Sequence, residues 1–286
     1  MKKPLLKVDF HTHTTYSDGW LTPERLISRA KNLGVGTLAV TDHDTTAGLK
    51  EARIFAEQSG IHLVDGIEIS CRQGDTSVHL LVYGSKVFNE RLLQFVQNFR
   101  EKKLGRVERI LEKLHVLGFP ISLEELDAVD YENLGRPHIG RAMVRKGYVQ
   151  SLSEAFAKYL SPGRLAYVPR EEADTQEAVR LLGEIGAVCA VAHPGQIRME
   201  QGELFKNIKH WQSLGLCGIE CYHPCHEDRL AEFYASYAKE NNLLVLGGSD
   251  FHEIGASDSK HGELGDQSGR WKNLEEDVQQ LLTRIG

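Results

Sequence analysis

The most informative part of the sequence is Val8-Asp9-Phe10-His11-Thr12-His13-Thr14-Thr15-Tyr16-Ser17-Asp18-Gly19. Its apolar start predicts a short buried strand, and side chains two positions apart on a strand point to the same side. His11 and His13 therefore present two imidazoles to one point, which makes half of a metal site. Ordinary strand histidines show the same spacing, so this interpretation depends on the rest of the chain.

Similar polar residues recur in or just after later apolar runs, in Thr41-Asp42-His43-Asp44, Gly66-Ile67-Glu68, Val78-His79, Ala192-His193-Pro194-Gly195 and Ser249-Asp250-Phe251-His252. Each has an ordinary structural explanation by itself. Buried acids, however, are unfavourable unless they are paired or bound to metal. In parallel α/β folds, the carboxyl ends of the strands form the active site. We therefore expect one shared metal centre built from nine candidate ligands: His11, His13, Asp18, His43, Glu68, His79, His193, Asp250 and His252.

Nine ligands are too many for a single ion, so the centre should hold two or three divalent cations. A donor set of imidazoles and carboxylates without thiolate favours Mn²⁺, Fe²⁺ or Zn²⁺ over a structural zinc site. Clustered cations of this kind suit the hydrolysis of phosphate esters, because they generate hydroxide near neutral pH and neutralise the phosphate oxygens.

These motifs, in this order, resemble those of the PHP family, whose name covers polymerase-associated and histidinol-phosphatase domains. The resemblance extends over nearly the whole chain. It implies a distorted (β/α)7 barrel with a trinuclear site, in which Mn²⁺ is the expected metal. It also implies three ligand sets: His11, His13, Glu68 and Asp250 for the first metal; Glu68, His79 and His193 for the second; and Asp18, His43 and His252 for the third.

Three stretches are similar to one branch of the family, the 3′,5′-nucleoside bisphosphate phosphatases and 5′→3′ exoribonucleases: 17–24, 135–138, and 158–160 with 167–169. Histidinol phosphatases usually have His where this chain has Asp18. The resemblance implies removal of the 3′-phosphate from a bisphosphate, and cleavage of short RNA from its 5′ end, by attack of a metal-bound hydroxide. Asp18, His43 or a metal-bound water would assist the leaving group.

Two alternatives stay open. The substrate could be another small phosphate ester, such as histidinol phosphate. A different class of protein, a non-catalytic PHP module that only binds a partner, is also conceivable, although the complete set of nine ligands argues against it.

Residues 1–87 and 169–286 alternate strand and helix patterns, which predicts parallel strands in one barrel domain. Residues 88–168 carry helical apolar spacing and should form a small helical insertion domain. The resemblance to the family branch implies that this domain caps the metal site. The predicted elements of the first part are a helix opening at 22–24, strand 36–41, helix 46–59 and strands near 62–70 and 77–84.

The insertion offers candidate substrate contacts, since Arg suits bidentate binding of phosphate. The family branch favours a role for four residues in gripping a second phosphate or the ribose, whereas charged residues on a helix usually form only a solvated face. These residues are Arg100, Lys103, Arg136 and His138. Roles remain open for two further groups of residues. Glu220, His223 and His226 either support the ligands or line the pocket, and His223 and His226 could instead be solvated. Tyr16, Trp20 and Tyr167 either stack on a base or belong to the core.

Composition narrows the class of protein further. The chain has 286 residues and a formal net charge of −6, which argues against stable binding of duplex DNA. No apolar run approaches the length of a membrane span, and the first residues lack the apolar region of a signal peptide, so we expect a cytoplasmic protein. The five cysteines lack a Cys-x-x-Cys pair and should be free thiols. The sequence does not decide the oligomeric state.

Overall fold

The computed structural model describes residues 7–126, 134–169, 171–254 and 261–286. Its strands are β1 (Lys7–Asp9), β2 (Val35–Val40), β3 (His62–Gln73), β4 (Thr76–Tyr83), β5 (Ala173–Asp174), β6 (Val188–Val191), β7 (Gly218–Tyr222) and β8 (Leu244–Gly247). Its α-helices are α1 (Pro23–Asn32), α2 (Leu49–Ser59), α3 (Glu90–Val116), α4 (Arg136–Arg145), α5 (Leu152–Ala155), α6 (Thr175–Glu184), α7 (Gln201–Leu214), α8 (Asp228–Glu240) and α9 (Leu274–Ile285).

The chain divides into two compact units. The first comprises Met1–Gln94 and Ala173–Gly286, and the second comprises Phe95–Glu172. The insertion expected at 88–168 begins seven residues before the second unit and ends four residues before the unit does.

The first unit contains a sheet with the strand order β1-β2-β3-β4-β6-β7-β8, and the short β5 pairs beside β3. Most neighbours are parallel, as the alternation of strands and helices predicts. Strand β4 runs antiparallel to both of its neighbours, β3 and β6. The reason is local: only a tight turn at Gly74, with a φ of 59°, separates β3 from β4, so the chain reverses without a crossover helix.

Hydrogen bonds between the segments that follow β1 and β8 bring the first and last strands together. The His13 amide donates to the Phe251 carbonyl at 3.0 Å, and the Phe10 amide donates to the Gly247 carbonyl at 3.3 Å. The buried carboxylate of Asp9 reinforces this junction by accepting from the backbone of Ser249 at 2.9 Å. These hydrogen bonds join the two ends of the sheet, which agrees with the distorted β/α barrel that the family resemblance implies.

Helix α1 follows its sequence signals closely. The Thr22 hydroxyl caps the helix by accepting from the Arg25 amide, and Pro23 occupies the first turn. Helix α2, in contrast, begins at Leu49 and not at residue 46, so that predicted start is wrong. A turn precedes it, in which the Leu49 amide donates to the Thr46 carbonyl at 3.1 Å.

The second unit is helical and has its own apolar core. The buried residues of that core come from α3, α4, α5 and the turns around them: Val107, Ile110, Leu111, Leu114, Ile121, Leu126, Leu134, Ile139, Ala142, Met143, Val149, Ala155, Leu160, Ala166 and Val168.

Among the described residues of the whole chain, no helix combines the length and apolar character that crossing a membrane requires. All five cysteines are free thiols, as predicted.

Candidate metal centre

The nine candidate ligands converge at one end of the barrel. Most of them lie in the strands or directly after their carboxyl ends, which is where parallel α/β folds place active sites. His11 and His13 follow β1, His43 follows β2, Glu68 lies in β3, His79 lies in β4, His193 follows β6, Asp250 and His252 follow β8, and Asp18 lies in the loop before α1.

The fully buried carboxylate of Glu68 occupies the middle of the cluster. Five imidazole nitrogens lie 3.0–3.2 Å from its two oxygens: His11 Nε2, His13 Nε2 and His43 Nδ1 at Oε2, and His79 Nδ1 and His193 Nε2 at Oε1. A carboxylate that faces different imidazoles through each oxygen has the geometry of a bridge between two cations. Glu68 is therefore the candidate shared ligand.

Asp250 completes the innermost ligand set. Its Oδ1 lies 3.3 Å from His11 Nε2 and 3.2 Å from His13 Nε2, on the same side as Glu68. These four residues are buried and offer ligand atoms that lie within 4.8 Å of one another. They are the residues that the family resemblance gives to the first metal.

A second group lies at the open side of the cluster, around Asp18. The Asp18 carboxylate is 53% exposed, its Oδ1 lies 3.1 Å from His252 Nε2, and its Oδ2 lies 3.9 Å from His43 Nε2. His13 adds a fourth possible ligand to this group. Because Asp18 is the most exposed of the nine side chains, its side of the cluster is the one open to solvent.

The donor set fits divalent cations. Several buried atoms of the cluster have no hydrogen-bond partner, although each faces other ligand atoms: His11 Nε2, His13 Nε2, His43 Nδ1 and Glu68 Oε2. Unpaired buried polar atoms are costly, and nitrogen lone pairs repel a carboxylate unless a proton or cation lies between them. Imidazole and carboxylate ligands without thiolate suit Mn²⁺, Fe²⁺ or Zn²⁺.

The titration behaviour of the cluster reflects this crowding. Burial by itself would lower the pKa of His13, but the carboxylates of Asp250 and Glu68 raise that pKa to about 10. Burial lowers the pKa of His43 to about 3, against the opposing effect of Glu68. Although burial opposes ionisation of Glu68, the surrounding histidines, His43 first, hold its pKa well below the usual value. Bound cations must therefore displace protons from part of the centre.

The backbone is unusual at the same place. His193 and Asp250 have positive φ values of 25° and 51°, a region that residues other than glycine rarely adopt. Strain of this kind concentrates at functional sites, where the surrounding structure enforces it. Gly248 is also required here, because an added Cβ would lie 2.4 Å from the Cβ of His11.

The loop that carries Asp18 is held by Asp42, whose role the sequence left unassigned. The buried Asp42 carboxylate accepts from the Thr14 amide at 2.7 Å, from the Thr14 hydroxyl at 2.7 Å and from the Ser17 hydroxyl at 2.6 Å. The sequence feature that could have indicated a role for Asp42 is its position directly before His43 in the motif. Asp42 therefore positions the loop, while the next residue, His43, faces the cluster.

Glu220, His223 and His226 are all buried, so the solvated alternative for His223 and His226 is wrong. The ring of His226 forms hydrogen bonds with two backbone groups: its Nδ1 donates to the Cys221 carbonyl at 2.8 Å, and its Nε2 accepts from the Gly195 amide at 2.9 Å. His261 belongs to none of the motifs, yet its Nε2 lies 4.0 Å from Asp250 Oδ2.

The aromatic residues considered for base stacking differ in exposure and in contacts. Trp20 is 74% exposed, which excludes a core role, and its amide donates to the His252 carbonyl at 2.8 Å beside the exposed Asp18. The Tyr16 hydroxyl instead donates to Glu51 at 3.0 Å. A role for Trp20 in stacking on a base stays a prediction.

The four candidate substrate-binding residues lie in the second unit. Arg100 and Lys103 belong to α3, and Arg136 and His138 lie in the first turn of α4. The Arg136 guanidinium donates to the Leu160 carbonyl at 3.0 Å and lies over the Phe156 and Tyr167 rings, 5.6 and 5.7 Å from their centroids. His138 Nδ1 accepts from the Gly135 amide at 3.2 Å. Their contact with substrate stays a prediction.

Comparison with known proteins identifies the family. The PHP domain family matches residues 9–245, and the chain belongs to it. The chain is 32% identical to a 5′-3′ exoribonuclease of Haemophilus influenzae, over 86% of this chain and 90% of that protein. It is also 32% identical to a 3′,5′-nucleoside bisphosphate phosphatase of Chromobacterium violaceum, over 88% and 89%.

A solved structure from Bifidobacterium adolescentis, assigned as a metal-dependent phosphoesterase, matches with a TM-score of 0.79 and 32% identity. That match covers 99% of this chain and 98% of the other. The fold assignment therefore holds over the full length of both chains.

Proposed function

We propose that this protein hydrolyses the 3′-phosphate of 3′,5′-nucleoside bisphosphates and acts on short RNA from its 5′ end. As an enzyme, it is a metal-dependent phosphoesterase. The observation that carries the proposal is the Glu68 carboxylate, which lies within 3.2 Å of five imidazoles at the barrel end. The two curated relatives at 32% identity, one named for each activity, support the choice of substrate.

The proposed metal content is two or three ions, with Mn²⁺ as the first candidate. His11, His13, Glu68 and Asp250 would hold the first metal; Glu68, His79 and His193 the second; and Asp18, His43 and His252 the third. Bound there, the metals would supply a nucleophilic water near neutral pH and neutralise charge on the phosphate oxygens.

The residues of the chain would then bind, orient and exchange protons. Glu68 and Asp250 supply buried negative charge that places the cations at the end of the barrel. Asp18 and His43 lie at the more open side, where Asp18 is half exposed and a phosphate would enter. Because burial lowers the pKa of His43 to about 3, its imidazole is neutral at physiological pH and one of its two nitrogens keeps a free lone pair as a ligand or hydrogen-bond acceptor.

The second phosphate of the substrate, or its ribose, would be held by Arg100, Lys103, Arg136 and His138. Arg136 fits this role because its guanidinium is flanked by the rings of Phe156 and Tyr167 and so has a fixed orientation. A preoriented fork loses little side-chain entropy when it binds phosphate.

The test is a substrate panel with the Mn²⁺-loaded protein: 3′,5′-adenosine bisphosphate, a short 5′-phosphorylated RNA and histidinol phosphate. Asp18→Ala should abolish turnover of the first two substrates. Asp75→Ala is the matched control, because the Asp75 side chain is fully exposed and should leave activity unchanged. Turnover of histidinol phosphate alone would refute the nucleotide assignment, and no turnover of any of the three would favour a non-catalytic module.

A further inference from the structure

The metal centre is supported from behind by an acid that belongs to none of the three proposed ligand sets. Glu220 lies in β7 and is fully buried. Its Oε1 lies 2.9 Å from His11 Nδ1, and its Oε2 accepts from the backbone amide of His193 at 2.6 Å. One carboxylate thus contacts two separate segments that each deliver a candidate ligand.

The contact with His11 determines which ring nitrogen carries the proton. A carboxylate can only accept, so His11 Nδ1 must be the donor. His11 Nε2 faces Glu68 Oε2 at 3.1 Å and Asp250 Oδ1 at 3.3 Å, so it offers its lone pair there only when a cation takes the place of a proton. This is the nitrogen that a metal would use, and carboxylates behind ligating histidines commonly fix this tautomer and ring orientation.

The contact with His193 holds a strained backbone. His193 has a φ of 25°, and its ring nitrogen Nε2 points at Glu68 Oε1. The charge-assisted hydrogen bond from its amide to Glu220 offsets part of the cost of that conformation. Loss of this hydrogen bond should let the loop after β6 relax and move its imidazole away from Glu68.

We propose that Glu220 is the positioning residue of the metal centre, which sets the tautomer of His11 and locks the His193 segment. His223 provides a parallel support for Asp250: the Cys225 amide donates to His223 Nδ1 at 3.1 Å, so Nε2 carries the proton and faces Asp250 Oδ2 at 3.4 Å. Strand β7 and the residues that follow it therefore form an outer layer behind the ligands.

Glu220→Gln tests this proposal sharply, because a carboxylate serves two donors whereas an amide offers only one oxygen. The amide can keep only one of the two acceptor contacts, and its NH2 group, if turned to His11 Nδ1, would force the ring proton onto Nε2. Asp277→Asn is the matched control: Asp277 is buried and accepts from Trp271 Nε1 at 2.7 Å. Both variants lose a buried carboxylate, but only one of them faces the metal centre.

The measurement is a Mn²⁺ titration of the metal-free full-length chain against a fluorescent chelator. Glu220→Gln should weaken binding about 10- to 100-fold, and Asp277→Asn should bind like the unaltered protein. In a His11→Ala background, the additional effect of Glu220→Gln should shrink, because the two act on one ligand. Unaltered affinity in Glu220→Gln, or an undiminished effect in the His11→Ala background, would overturn the proposal.

A second measurement needs no variant. In the Zn²⁺-loaded full-length chain, ¹H–¹⁵N NMR of the imidazoles should show His11 protonated at Nδ1, and a proton at Nε2 would overturn the proposal. The inference rests on the metal site of the proposed function. Both tests measure metal binding and not turnover. They can therefore fail while the phosphoesterase activity is confirmed, and they can succeed even if the proposed substrate is wrong.

Discussion

Replacing Glu68 by Gln should remove most of the bound metal while leaving one ion in place. The carboxylate belongs to two of the three proposed ligand sets, and the set of Asp18, His43 and His252 does not use it. Breaking a buried ionic contact costs about 3–5 kcal/mol. At about 1.4 kcal/mol per power of ten, this weakens metal binding by roughly two to four powers of ten.

The assay for this change is metal analysis by mass spectrometry after dialysis against Mn²⁺, together with the rate of phosphate release. The metal content of Glu68→Gln should fall by two ions per chain, and the rate should fall at least as steeply as the affinity. Asp65→Asn is the control on the same strand, since Asp65 pairs with the exposed Arg53 and faces no candidate ligand. Undiminished metal content in Glu68→Gln would refute the bridging role.

Three further results are expected. Arg136→Ala should raise KM for the bisphosphate about tenfold or more with metal content intact, since a charged hydrogen bond is worth roughly 1.5–3 kcal/mol; an unchanged KM in steady-state kinetics would remove Arg136 from the substrate site. Trp20→Ala should raise KM for the nucleotide several-fold, because base stacking is worth roughly 1–3 kcal/mol, and should spare the base-free p-nitrophenyl phosphate; equal effects on both would exclude stacking. Because the pKa of His13 is raised to about 10 without metal, its proton stabilises the metal-free fold fully below pH 6.5, and this stabilisation is lost as pH rises toward 10. The Tm with chelator should therefore fall from pH 7 to 9 while the gain from Mn²⁺ grows, and a gain that shrinks over this range would contradict the assignment.

The sequence predicted the parts of the barrel that depend on local pattern. An acid such as Glu68 within an apolar strand is informative, because its burial is costly without a partner. The sequence could not predict that β4 runs antiparallel, since strand patterns do not record direction, nor that α2 begins at Leu49 after a turn. These features depend on how neighbouring segments pair in three dimensions.

In the site, too, some residues could be predicted from local motifs and others only from the fold. The nine candidate ligands stand in recognisable motifs, and the fold gathers all of them at one end of the barrel. The role of Glu220 stayed open, because its meaning depends on register: β7 pairs with β6 and β8, which places Glu220 behind His11, more than two hundred residues away in the chain. His261 had no motif at all, and only the fold places it near Asp250.

The proposed function depends on which phosphate ester bond the enzyme breaks. The direct test is to incubate the Mn²⁺-loaded protein with 3′,5′-adenosine bisphosphate and to identify the products by ³¹P NMR, with a chelator-treated sample as control. We expect inorganic phosphate and adenosine 5′-phosphate as the products, formed only with metal. Adenosine 3′-phosphate as the product, or no phosphate release from the loaded protein, would contradict it.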